Sequence, residues 1–135
     1  MSELPRDLLY TPTHEWVRVD AVWAATVGIT DFAQHALGDI VFISFPRVGD
    51  QVVVGEPCAL VETEKAAVDV CAPVSGTIKA INGPLSSNLA QLNQQPYTAW
   101  LVQIQMQTAG VDGLGLLDST AYERLLLGRA NRQTR

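Results

Sequence analysis

The chain has 135 residues, a formal charge of −5 and 47% hydrophobic side chains, enough for one domain that needs no disulfide or metal staple. Fourteen acidic residues against nine basic ones exclude binding to nucleic-acid phosphates, which takes a basic face, and no apolar run approaches the ~18–20 residues of a membrane span. The first ten residues carry Glu3, Arg6 and Asp7 and have the pattern of neither a secretory signal nor a transit peptide. A bacterial cytoplasm is expected, with a mature organelle form as the alternative.

Residues 14–19, His-Glu-Trp-Val-Arg-Val, and Val22 to Ile29 predict two strands in immediate succession. A tight turn is therefore expected at Asp20-Ala21, although its usual glycine is absent. Asp31 to Leu37 predicts a two-turn helix, capped by Thr30 or Asp31 and stopped by Gly38. The β-branched and aromatic run Ile40 to Phe45 predicts a strand that Pro46 ends. Short strands follow at Gln51–Val54, Ala59–Val61, Val68–Cys71 and Thr77–Ile81, with Pro73-Val-Ser-Gly76 as a turn.

Residues 83–98 read as a long polar connection. Trp100 to Met106 alternates, with Trp100, Val102, Ile104 and Met106 on one face and Leu101, Gln103 and Gln105 on the other. Asp118 to Leu127 is the best helix, with Asp118 as cap, Leu117 stapling onto Tyr122 and Gly128 as stop. The last fourteen residues hold Glu123 and four arginines, and 128–135 are expected to fray. Many short strands with frequent turns point to a small sandwich or barrel.

Most constellations for catalysis are missing. No phosphate-cradling loop or nucleophile elbow occurs, and Gly113-Leu-Gly115 reads as a flexible loop. Cys58 and Cys71 are too few for a disulfide framework. With His14 and His35 they lack the close ligand pair of a zinc site, so idle or buried thiols are expected.

Residues 60–76 differ from the rest. Lys65 falls at the centre of a predicted hairpin, with Glu62, Glu64 and Asp69 around it and the small Ala66 and Ala67 after it. An ammonium on a stiff arch with no bulky neighbour suits a lysine that another protein must grasp and modify. An ordinary surface lysine in an acidic turn is the alternative that these residues leave open.

The segment resembles the lipoyl-lysine hairpin of lipoate carriers: Glu-x-x-Lys-Ala, an apolar strand, then Pro-x-Ser-Gly. Tyr10-Thr-Pro-Thr-His-Glu-Trp-Val17, Val27 to Gln34, Leu37 to Phe42, Pro96-Tyr97 with Trp100-Leu101, and Leu116 to Tyr122 are similar to the glycine cleavage system H proteins, in order and across about residues 8–127. This resemblance implies a mainly β barrel-sandwich hybrid, lipoyl-domain-like, of two small antiparallel sheets with short helices, including a C-terminal one. It implies a single carrier domain over 1–135 rather than an enzyme, with lipoate joined to Lys65.

The implied partners are a glycine decarboxylase, an aminomethyltransferase, a dihydrolipoamide dehydrogenase and the lipoate-attaching enzymes. Glu62, Glu64, Ala66 and Asp69 would frame the arm. Glu15 would hold the ammonium of the carried group, or else serve only as a surface strand residue. Glu64 before the lysine, Cys71, Thr98-Ala99 and the loop from Ser86 to Leu92 depart from the family pattern. They leave room for a paralogue that relays lipoate to other pathways. A biotin carrier is disfavoured because Lys65 lacks flanking methionines.

Overall fold

The structure, a computed structural model, describes residues 4–133, with side chains through Gly128. Among the described residues, nine strands are interspersed with helices: β1 (Leu9–Tyr10), β2 (Glu15–Ala21), β3 (Ala24–Ile29), α1 (Asp31–Leu37), β4 (Phe42–Ser44), β5 (Gln51–Val52), β6 (Pro57–Glu62), β7 (Ala67–Cys71), β8 (Gly76–Ile81), α2 (Ala90–Gln94), β9 (Val102–Met106) and α3 (Ser119–Gln133). A six-stranded antiparallel sheet has the order β1-β2-β3-β9-β8-β5, and a three-stranded one the order β4-β6-β7. The inner faces bury Val17, Val27, Ile78 and Ile104 from the large sheet and Ile43, Val61 and Val70 from the small one in a single cluster. Each such side chain taken out of water contributes about 1.5–3 kcal/mol.

A second, smaller cluster lies under α3 and joins Leu8, Tyr10, Trp16, Tyr122 and Leu126. Tyr10 and Tyr122 stack with ring centroids 4.8 Å apart. The Tyr122 hydroxyl meets His14 Nδ1 at 2.7 Å and Thr30 Oγ1 at 2.8 Å, and Trp16 Nε1 donates to the Pro96 carbonyl at 2.9 Å. Aromatic rings supply the area here and their polar atoms find partners, as buried Tyr and Trp require. The C-terminal helix is thereby fixed to the segment that precedes β2.

Several expectations hold in detail. Helix α1 has its predicted span, with Thr30 Oγ1 accepting from Ala33 N and Gly38 N donating to the Gln34 carbonyl at its end. Asp118 caps α3 through a 2.8 Å bond from Ala121 N to its carboxylate.

Others are corrected. The β2–β3 turn is at Val22-Trp23, not Asp20-Ala21. The Asp20 carboxylate accepts from Arg18 Nε and Thr26 Oγ1, which keeps it in the strand, and the register shifts between Val19 and Ala21. Gly128 does not stop α3, which runs on to Gln133. Its φ is not positive, so no left-handed cap forms, and an interior glycine costs only about 1 kcal/mol. Of the tail expected to fray, residues 134–135 and the side chains from Arg129 onward lie outside the described residues.

Leu101 is fully buried beside Val102 instead of sharing the polar face. Strand β9 begins only at Val102, so strand alternation does not apply to Leu101. The polar connection at 83–98 contains a 3-10 turn, Gly83–Ser87, and α2. Both are too short to show a helical period, and they are fixed by burial of Leu85 and Leu92. The two-residue β1 was also not anticipated; its Tyr10 exchanges two backbone bonds of 2.7 Å with Leu117.

Candidate functional site

Strands β6 and β7 form the predicted hairpin, closing on the pair Glu62 and Ala67. Thr63 organises the turn. Its N–H donates to the Ala66 carbonyl at 2.8 Å, and its hydroxyl accepts from the N–H groups of Lys65 (3.3 Å) and Ala66 (3.1 Å). A Thr side chain that binds the backbone two and three residues on stiffens such a loop. Glu64, Lys65, Ala66 and Ala67 are all exposed, and Glu62 is half-buried at the base of the turn. The lysine side chain therefore stands out from a stiff loop with only small residues after it.

Glu15 lies at the other end of the hairpin. It is only 2% exposed, which rejects the surface-strand reading. Three residues bend the chain before it. His14 is the non-glycine residue with positive φ (74°) among the described residues, and Thr11 N donates to the Glu15 carbonyl at 3.0 Å. The bend places Thr11, Thr13 and Glu15 side by side. Both threonine hydroxyls donate to Glu15 Oε1 at 2.5 Å, and Cys71 N donates to Oε2 at 3.2 Å. The threonines and the Cys71 amide were not recognised as a set in the sequence, although the alternation Thr11-x-Thr13-x-Glu15 carries the signal.

Glu15 lines a cleft of about 210 Å³ with Val54, Cys71, Pro73, Leu114 and Leu116 among its walls. Burial raises the carboxyl's pKa above its ordinary value of 4.5, against the lowering effect of its hydrogen bonds. Burial comes first for Cys71 too. The charges of Glu15 and Asp69 then raise its thiol further, and Cys58, buried, is pushed up to about 12. Both thiols stay protonated near neutrality and neither is activated as a nucleophile. Among the described residues no group of His, Cys, Asp and Glu is arranged to hold a metal ion.

Ala67, Asp69 and Cys71 share one face of β7 by the two-residue period of a strand, and this face leads from the Lys65 turn towards Glu15. Of the residues singled out by sequence, the structure thus gathers Lys65, Glu62, Glu64 and Ala66 at the tip. Asp69 lies part-way along the strand, exposed, and Glu15 is buried at its far end.

The raised Glu15 pKa has a pH signature. Since the folded value lies above the unfolded one, the contribution is fully present below the unfolded pKa and is lost as pH rises through the folded pKa. Glu15→Gln can keep its oxygen on Cys71 N and turn its amide to the two hydroxyls. Denaturant titrations from pH 4 to 8 should show the wild type losing stability relative to Glu15→Gln as pH rises above about 4.5. Parallel curves would show that the carboxylate bears no burial cost.

Two packed antiparallel sheets with a lysine presented on a hairpin tip define a lipoyl-domain-like protein. The family model described as glycine cleavage H-protein matches residues 8–128. Glycine cleavage system H proteins of Thiobacillus denitrificans and Halorhodospira halophila are 49% and 48% identical to the chain, covering 95% and 93% of it and 98% and 97% of their own lengths. The crystal structure of a glycine cleavage system H protein from Mycobacterium marinum superposes with a TM-score of 0.80 at 36% identity, covering 90% of this chain and 97% of that one. The chain belongs to the glycine cleavage H-protein family. Membership supports a lipoyl carrier role in the glycine cleavage system, as a subunit that works with its other components. No helix among the described residues is long and apolar enough to cross a membrane.

Proposed function

We propose that Lys65 carries lipoate as an amide on Nζ and that the protein shuttles a one-carbon unit between enzymes of glycine cleavage. The observation that supports this most is the exposed lysine on the Thr63-organised turn, which an attaching enzyme can reach without unfolding the hairpin. The residues present fit the group: Ala66 and Ala67 leave room beside the lysine, and Glu62 and Glu64 offer carboxylates by which an enzyme can orient on it. Held as an amide on Lys65 Nζ, lipoate would supply a dithiolane whose S–S bond is reduced as one sulfur accepts an aminomethyl group and is restored when the dithiol left by removal of that group is reoxidised, with glycine decarboxylase, aminomethyltransferase and dihydrolipoamide dehydrogenase as donor, acceptor and oxidising partner. The tether keeps the carried group at high effective concentration near each partner.

Glu15 holds the ammonium of the carried group in the cleft, and Asp69 assists from the β7 face. A carboxylate already desolvated and fixed by three donors binds a cation with little reorganisation. In this reading the protein is cytoplasmic and performs no catalysis of its own.

Reconstitution with the three enzymes tests the proposal. The lipoylated protein should stimulate glycine decarboxylation. A lipoylated protein that gives no stimulation would point instead to a relay of lipoate to other pathways; the acidic Glu64 beside Lys65 fits either role. Glu15→Ala should speed loss of the aminomethyl group to solvent about tenfold or more, the worth of one charge-assisted hydrogen bond. Unchanged release kinetics would remove Glu15 from this role.

A further inference from the structure

The segment between β9 and α3 is tied down at its two ends. Gln107 N donates to the Ser75 carbonyl at 2.9 Å and Gly110 N to the Val22 carbonyl at 2.9 Å, while Leu117 exchanges both backbone bonds with Tyr10. The backbone bond between these anchors, Leu114 N to the Val111 carbonyl at 3.3 Å, is internal to the loop. Gly110, Gly113 and Gly115 all have positive φ, 71°, 80° and 76°. The apolar side chains between them turn inward: Leu114 and Leu116 are half-buried against the main core, and both line the cleft that holds Glu15 and Cys71. Leu114 also borders a second hollow of about 230 Å³, with Val74, Ser75, Met106 and Gln107 beneath the same loop. The loop thus covers the carboxylate with leucine, leaves space under itself and is joined to the fold through glycines.

We propose that residues 110–116 form a hinged cover over the Glu15 cleft, with Leu114 and Leu116 as the groups that exclude water and the glycines as the points about which it opens. This rests on the reading of Glu15 as the seat of the carried ammonium, for which the cover does two things. Expelling water strengthens the carboxylate–ammonium contact, because charges attract more in a low dielectric. It also keeps water from the aminomethyl group between visits to partner enzymes. Opening then sets how fast the group leaves the carrier.

Cys71 lines the same cleft and is partly exposed, whereas Cys58 is buried, so alkylation of Cys71 reads the cover in the full, unmodified chain with no carried group present. Two variants disturb the cover differently. Leu114→Ala removes its bulk. Gly113→Ala adds a methyl that meets nothing within 4 Å but disfavours the closed backbone, at a cost equivalent to about fivefold in population for a left-handed residue. With N-ethylmaleimide as probe and peptide mass mapping as readout, both variants should label Cys71 faster than the wild type, Gly113→Ala by about fivefold or more, with Cys58 unlabelled and melting curves still cooperative. Release of the aminomethyl group from the loaded protein should accelerate in the same order.

Wild-type labelling rates in both variants would overturn the cover, whatever Glu15 does. Faster labelling with unchanged release would uphold the cover and reject Glu15 as the seat of the cargo.

Discussion

Lys65→Arg is expected to leave a folded protein that takes up no lipoate and supports no glycine decarboxylation. The side chain is exposed, and the turn is held by Thr63 and the backbone rather than by the lysine, so stability should change by no more than about 0.5 kcal/mol. Arginine keeps the charge, but its guanidinium is no acyl acceptor under conditions in which a lysine amine is. Intact-mass measurement after expression with a lipoate ligase should show one adduct on the wild type and none on the variant. The test is clean because Lys79 is the only other lysine. It lies along β8, away from any turn. An adduct that persists in Lys65→Arg would sink the assignment.

Gly76→Ala should unfold or severely destabilise the protein while touching nothing at the tip. Gly76 begins β8 and pairs with Met106, and a Cβ there would overlap the Gln105 backbone carbonyl. Backbone at the centre of a sheet cannot move aside as the end of a side chain can. The cost should exceed the usual 1–3 kcal/mol of overpacking, against a total stability of about 5–15 kcal/mol. A fall in Tm on the order of 10 °C or more follows for a chain of this length. Melting of Gly76→Ala within a few degrees of wild type would show that β8 and β9 can separate locally.

Gly76 also shows how sequence and structure divide the work. In the sequence it closes Pro73-Val-Ser-Gly76 and reads as a turn residue, yet its φ is not positive and its role is close approach to β9. The hairpin at Lys65, helix α1 and the Asp118 cap were legible because each depends on neighbours in the chain: a period, a cap or a turn residue. The Val22-Trp23 turn was not, because Thr26 of the facing strand holds Asp20 in β2. Leu85 and Leu92 fix two short helices that have no local period of their own, and Gly128 fails as a stop because no left-handed cap forms there.

The sequence by itself determined the number and order of most strands, the presentation of Lys65 and the family resemblance. The strands and the hairpin reside in the spacing of near neighbours in the chain, and the resemblance in motifs set in order along about residues 8–127. Only the tertiary structure decided the state of Glu15. Its spacing allowed either an exposed strand residue or a cleft carboxylate. The choice came from the left-handed turn at His14 and from the Cys71 amide, 56 residues away in sequence, which together bring a charge out of water and surround it with donors. The loop at 110–116 is similar. Its glycines announce flexibility, but that its leucines cover this carboxylate depends on where β9 and α3 place its two ends.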